Sequence, residues 1–341
     1  MTFAIEQRSH TTDRHTTAYL QAGPDGGPLL IFCHGWPELS HSWRHVLPVL
    51  AGLGFRCVAP DMRGYGGSSV PEGTAAYAQE EIVADMIELI DHLGEQRAVW
   101  VGHDWGSPVV WNIAGHHPER TRAVASLVVP FQPRGFCLET LLDLVDRDLY
   151  PADEYPAGQW DYFLFYEESF EQAHADFERD VDATVRAVFR HGRPEHLTRP
   201  SINAMTRRSG GFFKGPVAPD LPLDERVLTE EDRQTYVRAL SRNGFTGPDS
   251  WYVNDEANAA YSRAGSQRLE MPVLFLHGRY DAVCQTVRSR LADPMREACP
   301  RLSEHIVDSG HWMAQEKPVA VNAALAGWLA REVADWWPTP R

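Results

Sequence analysis

The chain reads as an α/β protein: a mostly parallel sheet flanked by helices, with one long helical insertion. Three observations predict this. Short apolar runs alternate with amphipathic stretches, the pattern of buried strands covered by helices. No internal repeat interrupts that alternation. From roughly Pro133 to Gly265 the strand-like runs stop, and afterwards they resume.

Taken in order, LLIFCHG (29–35), RCVAP (56–60), AVWVGH (98–103) and AVASLVVP (123–130) are apolar segments expected of buried strands. Residues 78–93 place Ile82, Met86, Leu89, Ile90 and Leu93 at helical spacing, and Gly94 supplies the stop. The middle of the chain is aromatic and acidic with Pro/Gly breaks (QPRGF, EYPAGQW, KGPVAPDLPLD, GFTGPDS), so it reads as a helical insertion with a long loop near 209–226. PVLFLHG (272–278) resumes the sheet. A last amphipathic helix is expected from Pro318 to about Trp337, anchored by Val319, Leu325 and Leu329. The predicted organisation is a core of residues 1–132 and 266–341 with an inserted cap of residues 133–265.

At 341 residues the chain can bury a large core. Its 32 Lys and Arg against 47 Asp and Glu give a formal charge of −15, which argues against nucleic acid or anionic lipid as partner. The opening MTFAIEQRSHTTDRH has no apolar signal region, and nowhere do about eighteen apolar residues run together, so no targeting or membrane segment is expected. The five cysteines have no metal-like spacing. Cys33 and Cys57 lie in strand-like runs as small hydrophobes, and a reducing cytoplasm is the simplest compartment.

The most informative segment is AVWVGHDWGSPVVWNIAGHHP. A strand runs into Gly102-His103-Asp104-Trp105-Gly106 and a helix follows at once. Small residues at 102 and 106 allow a sharp strand-to-helix turn that exposes the middle side chain above the sheet, where backbone N–H groups and the helix N-terminus favour negative charge. The usual occupant is Ser; here it is Asp. An Asp could also simply cap the helix. As a nucleophile, however, a carboxylate needs no deprotonation at neutral pH. Its attack on saturated carbon gives an ester that water can cleave, whereas Ser would give an inert ether. Asp104 therefore implies an epoxide or alkyl halide substrate. Ser107 reads as a helix-start residue.

Hydrolysis of such an ester needs two N–H donors for the oxyanion. Trp105, next to the nucleophile, can give one, and Trp36 in His34-Gly35-Trp36-Pro37 can give the other; His34 reads as structural. A base and an orienting carboxylate should follow in the order nucleophile, acid, base. Asp281 lies just past the strand PVLFLHG, and His311 in Asp308-Ser309-Gly310-His311-Trp312 precedes the last helix. His305, inside an apparent strand, is the weaker base candidate. No acidic residue directly follows the strand ending at Pro130.

These residues resemble the α/β-hydrolase-fold epoxide hydrolases, in which HGWP, DMRGYGGS (61–68), GHDWGS, GRYD and SGHW recur in this order over nearly the whole chain. The resemblance implies Asp104 as nucleophile, a His311–Asp281 pair that activates water, and two cap tyrosines that hold the epoxide oxygen. NGFTGPDSWYVN selects Tyr252. WDYFLFYEESF selects Tyr162, but Phe165 and Tyr166 are transposed relative to the common order and Tyr166 stays open. Chemistry independently wants such phenols, because ring opening releases a strongly basic alkoxide. No metal or organic cofactor is implied; the partners are a small apolar epoxide and water.

Two other readings remain. A haloalkane dehalogenase shares the Asp nucleophile and His base, but the HGxP slot holds Trp36 where many dehalogenases have Asn, and tyrosines have no use there. Fluoroacetate-type dehalogenases would want an Arg directly after Asp104. A catalytically silent ligand-binding protein on the same scaffold would be expected to lack a triad member, whereas all three are present.

Overall fold

The computed structural model describes residues 3–339. Its centre is an eight-stranded sheet: β1 (Glu6–Thr11), β2 (Thr16–Ala22), β3 (Leu29–Cys33), β4 (Arg56–Pro60), β5 (Ala98–His103), β6 (Thr121–Leu127), β7 (Val273–Gly278) and β8 (Leu302–Val307). The spatial order is β1-β2-β4-β3-β5-β6-β7-β8. β1 and β2 form an antiparallel hairpin, β2 pairs antiparallel with β4, and every later pairing is parallel.

β3, β4, β5 and β7 are buried along their whole length. That is why they read as unbroken apolar runs: helices cover both faces of a parallel sheet. The helix Gln79–His92 buries Ile82, Met86, Leu89 and Ile90 on one side, as its spacing requires. β6 ends at Leu127, three residues before the end of its apolar run, because Val128 turns to a φ of 66°.

Two sequence readings need correction or addition. β1 and β2 lay outside the strands read from sequence, since β1 (EQRSHT) is polar and mostly exposed at the sheet edge. The closing helix, Pro318–Glu332, is anchored by Val321, Leu325, Trp328 and Leu329, while Val319 is 81% exposed. Four- and seven-residue steps from Val321 stay on one helix face; the step from Val319 to Leu325 does not.

Every element between Leu127 and Val273 is helical, including Asp161–Glu178, Val181–Val188, Glu230–Asn243 and Asp255–Ala264. No helix or strand lies between Met205 and Glu230, where a long loop was expected. No helix among the described residues is long and apolar enough to cross a membrane. All five cysteines are buried and free.

Candidate active site

The turn after β5 is made possible by absent side chains. A Cβ at Gly106 would overlap the main-chain carbonyls of Cys33 and His34, and one at Gly102 would overlap the Gly106 carbonyl. The helix Gly106–His116 can therefore start directly against β3. Asp104 sits at the apex with φ 48°, a left-handed conformation that Asp tolerates better than most residues. Gly35 lets the neighbouring loop approach in the same way, since a Cβ there would strike the Asp104 carboxylate and the Trp105 nitrogen. Ser107 lies in the first helical turn, buried, with its hydroxyl bonded to Ser126 and aimed at the Leu127 carbonyl.

The two oxygens of Asp104 have different partners. Trp36 N–H donates to Oδ1 at 2.7 Å, and His311 Nε2 stands 3.3 Å from Oδ2 as an ion pair. His311 Nδ1 is 3.2 Å from both oxygens of Asp281, which is buried and also accepts Val283 N–H. Burial alone would lower the His311 pKa, but the Asp281 charge and the bonds to Asp104 and Asp281 raise it to about 10. The resting imidazole is thus protonated between two carboxylates. Asp281 is held below the usual carboxylate range by His311, against its burial. The structure brings Asp104, Asp281, His311, Trp36 and Trp105 together. His305 is exposed on β8. His34 accepts Met62 N–H at Nε2 and bonds the Gly35 carbonyl through Nδ1, a structural role.

In the helical segment between β6 and β7, Tyr162 and Tyr166 lie four residues apart on the helix Asp161–Glu178 and so share a face. Tyr252 follows the short Thr246–Asp249 helix. The Tyr252 ring meets Trp105 edge-on at 5.1 Å, stands 5.7 Å from Tyr162 and stacks on Tyr166 at 4.4 Å. Burial pushes all three phenols well above their ordinary pKa, and the Asp104 charge adds to this at Tyr162 and Tyr252. Tyr166 donates to Asp249 at 3.2 Å. Among the described residues no protein acceptor engages the hydroxyl of Tyr162 or Tyr252. A cavity of about 10 Å³, about the room of one water molecule, lies between Asp104, Trp105, Phe136, Tyr162, Val283 and Cys284.

Sequence reasoning missed Glu38 and His103. His103 Nδ1 is 2.6 Å from Glu38 Oε2, and its Nε2 donates to the His311 main-chain carbonyl at 2.7 Å. Glu38 also accepts Gly35 N–H and the Gln315 amide. Among the described residues the ring partners of His103 are the Glu38 carboxylate and a carbonyl, so the His103 ring carries both protons. Burial would lower it, but Glu38 raises it; reciprocally, His103 overrides burial and lowers Glu38 to about 2. This buried pair ties the Gly35–Trp36 loop, the Asp104 turn and the His311 loop together. Its only sequence signal was adjacency: Glu38 follows HGWP, and His103 precedes Asp104.

The family model of the alpha/beta hydrolase fold matches residues 28–318. Bifunctional epoxide hydrolase 2 of Sus scrofa is 38% identical over 306 residues, 89% of this chain and 51% of its own length, so the chain spans about half of that relative. Epoxide hydrolase A of Mycobacterium tuberculosis is 35% identical over 91% of this chain and 92% of its own length. The crystal structure of Epoxide Hydrolase A from Mycobacterium thermoresistibile matches with a TM-score of 0.79 and 33% identity, covering 96% of this chain and 99% of that one. With that turn, that sheet and these relatives, the chain belongs to the α/β-hydrolase-fold epoxide hydrolase family.

Proposed function

We propose that the chain hydrolyses epoxides to vicinal diols through a covalent ester on Asp104. The observation that carries the reading is the unequal setting of the Asp104 carboxylate: Oδ1 rests on the Trp36 N–H while Oδ2 faces His311. Oδ2 attacks an epoxide carbon, and the ring C–O bond breaks with its electron pair on oxygen. Tyr162 and Tyr252 receive that oxygen, and one of them protonates it. Tyr162 is preferred to Tyr166, whose hydroxyl is committed to Asp249.

Ester formation removes the Asp104 charge from beside Nε2, so the His311 pKa falls, its resting proton passes to the phenolate left by ring opening, and the neutral ring can act as base. Water attacks the ester carbon, His311 takes its proton, and Asp281 stabilises the imidazolium. The oxyanion on Oδ1 lies against the Trp36 and Trp105 N–H groups. Collapse releases the diol with Oδ2, and the two protons of the water end on the diol and on His311, which regains its resting charge. Side chains and water carry every step. The reading includes a division into a core (1–132 and 266–341) and a cap (133–265), supported by the purely helical elements between Leu127 and Val273. It also includes a small apolar substrate, supported by the lining of the cavity, and a cytoplasmic location, supported by five unpaired thiols.

The test is His311→Gln treated with styrene oxide, followed by intact-protein mass spectrometry and peptide mapping. An adduct on Asp104 is expected, and its absence while wild type turns over overturns the covalent route. Wild type should convert styrene oxide to its diol and release no bromide from 1-bromobutane; halide release without diol would overturn the substrate class.

A further inference from the structure

Asp249 has no part in the chemistry above, yet it is fully buried where cap and core meet. Its Oδ1 accepts two hydrogen bonds: from the Trp36 indole Nε1 at 2.7 Å and from the Tyr166 hydroxyl at 3.2 Å. Those donors lead to opposite sides of the site. The Trp36 main-chain N–H holds Oδ1 of Asp104. The Tyr166 ring lies parallel to Tyr252, 4.4 Å away with 13° between planes. Tyr252 in turn meets the Trp36 ring and the Trp105 ring edge-on, closing a circuit around the nucleophile.

We propose that Asp249 is a positioning residue that sets the oxyanion loop and the cap tyrosines with one oxygen atom. The inference rests on the ester mechanism proposed for this site. Trp36 bridges core and cap: its main chain belongs to the loop after β3, and its indole packs among the cap rings Phe177 and Phe245. Without the Asp249 bond the indole keeps apolar contacts but loses the one interaction that fixes its direction. Tyr166 without its acceptor is free to slide against Tyr252. One side chain therefore acts on both half-reactions, alkylation through Tyr252 and ester hydrolysis through Trp36.

Burial, with Glu178 nearby, holds the Asp249 carboxyl well above the usual carboxylate range despite the two donors, and Oδ2 is buried without a partner. An amide can take the same place: Asn offers an oxygen to both donors and an NH₂ group where Oδ2 stands.

The experiment is stopped-flow and rapid-quench kinetics on the full chain with styrene oxide, comparing wild type, Asp249→Ala and Asp249→Asn, with Tm recorded for each. Asp249→Ala is expected to slow alkylation and ester hydrolysis by about fivefold to tenfold each, the scale of one lost buried hydrogen bond per step. Asp249→Asn should stay within about threefold of wild type in both. Unchanged rates in Asp249→Ala, or a loss confined to one step, overturn the proposal, and so does an Asn variant as slow as the Ala variant. If Asp249→Ala does not fold, Trp36→Phe should slow hydrolysis alone and Tyr166→Phe alkylation alone, and no separation of the two overturns it. A wild type that forms no ester would instead remove the mechanism on which the inference rests.

Discussion

Replacing Asp281 with Asn removes the charge that holds the base protonated and oriented. Both Asp281 oxygens stand 3.2 Å from His311 Nδ1 in a buried setting. A unit charge about 4 Å from the imidazolium centre, at an effective dielectric constant of about 20, contributes on the order of 4 kcal/mol. At about 1.4 kcal/mol per decade, imidazolium formation during water attack then slows by about a thousandfold. The amide also donates toward Nδ1, leaving the proton on Nε2 where the water proton has to go. Alkylation depends on Asp104 and the phenols and should change by less than about tenfold. In rapid-quench experiments Asp281→Asn should therefore form the Asp104 ester nearly normally and accumulate it, with diol release about a thousandfold slower. An Asp281→Asn enzyme that cleaves its ester within about tenfold of wild type would show that another group orients the base.

Three further outcomes can be checked with the same protein. Tyr162→Phe should slow alkylation by about a hundredfold, as expected for one lost donor to a developing oxyanion, and more than Tyr166→Phe does; pre-steady-state adduct formation measures both. Gly106→Ala forces a methyl into the Cys33 and His34 carbonyls and should lose at least about 2 kcal/mol of stability, read from urea unfolding. Glu38, depressed to about 2 in the folded protein from an ordinary 4.5, contributes on the order of 3 kcal/mol that is present above pH 4.5 and lost as pH falls towards 2. Glu38→Gln should therefore have a lower Tm at pH 7, with the gap to wild type closing as the pH drops through that window. A constant gap would count against the ion pair.

Much of the fold was readable because a parallel sheet covered on both faces leaves unbroken apolar strands, as in β3 and β5. The edge hairpin was not, because β1 alternates polar residues with little burial and its pairing to β2 leaves no apolar run. The Val319 misreading shows that an apolar residue beside a helix-start proline can face water. At the site, motif order was enough to list Asp104, Asp281 and His311, since strand ends bring them to one edge of the sheet. The choice between Tyr162 and Tyr166 lay beyond sequence because four-residue spacing puts both on one face. The proposed mechanism prefers Tyr162 because the Tyr166 hydroxyl is bonded to Asp249, about eighty positions away in the chain. The Glu38–His103 pair joins residues 65 apart, and no periodicity points to it.

A single turnover in heavy-oxygen water, with enzyme in excess over styrene oxide, addresses the Asp104 ester most directly. If a side-chain oxygen bonds to the substrate, the first diol carries only unlabelled oxygen and the label appears in the Asp104 peptide. Label in the first diol, with an unlabelled Asp104 peptide, would mean that water attacks the epoxide itself.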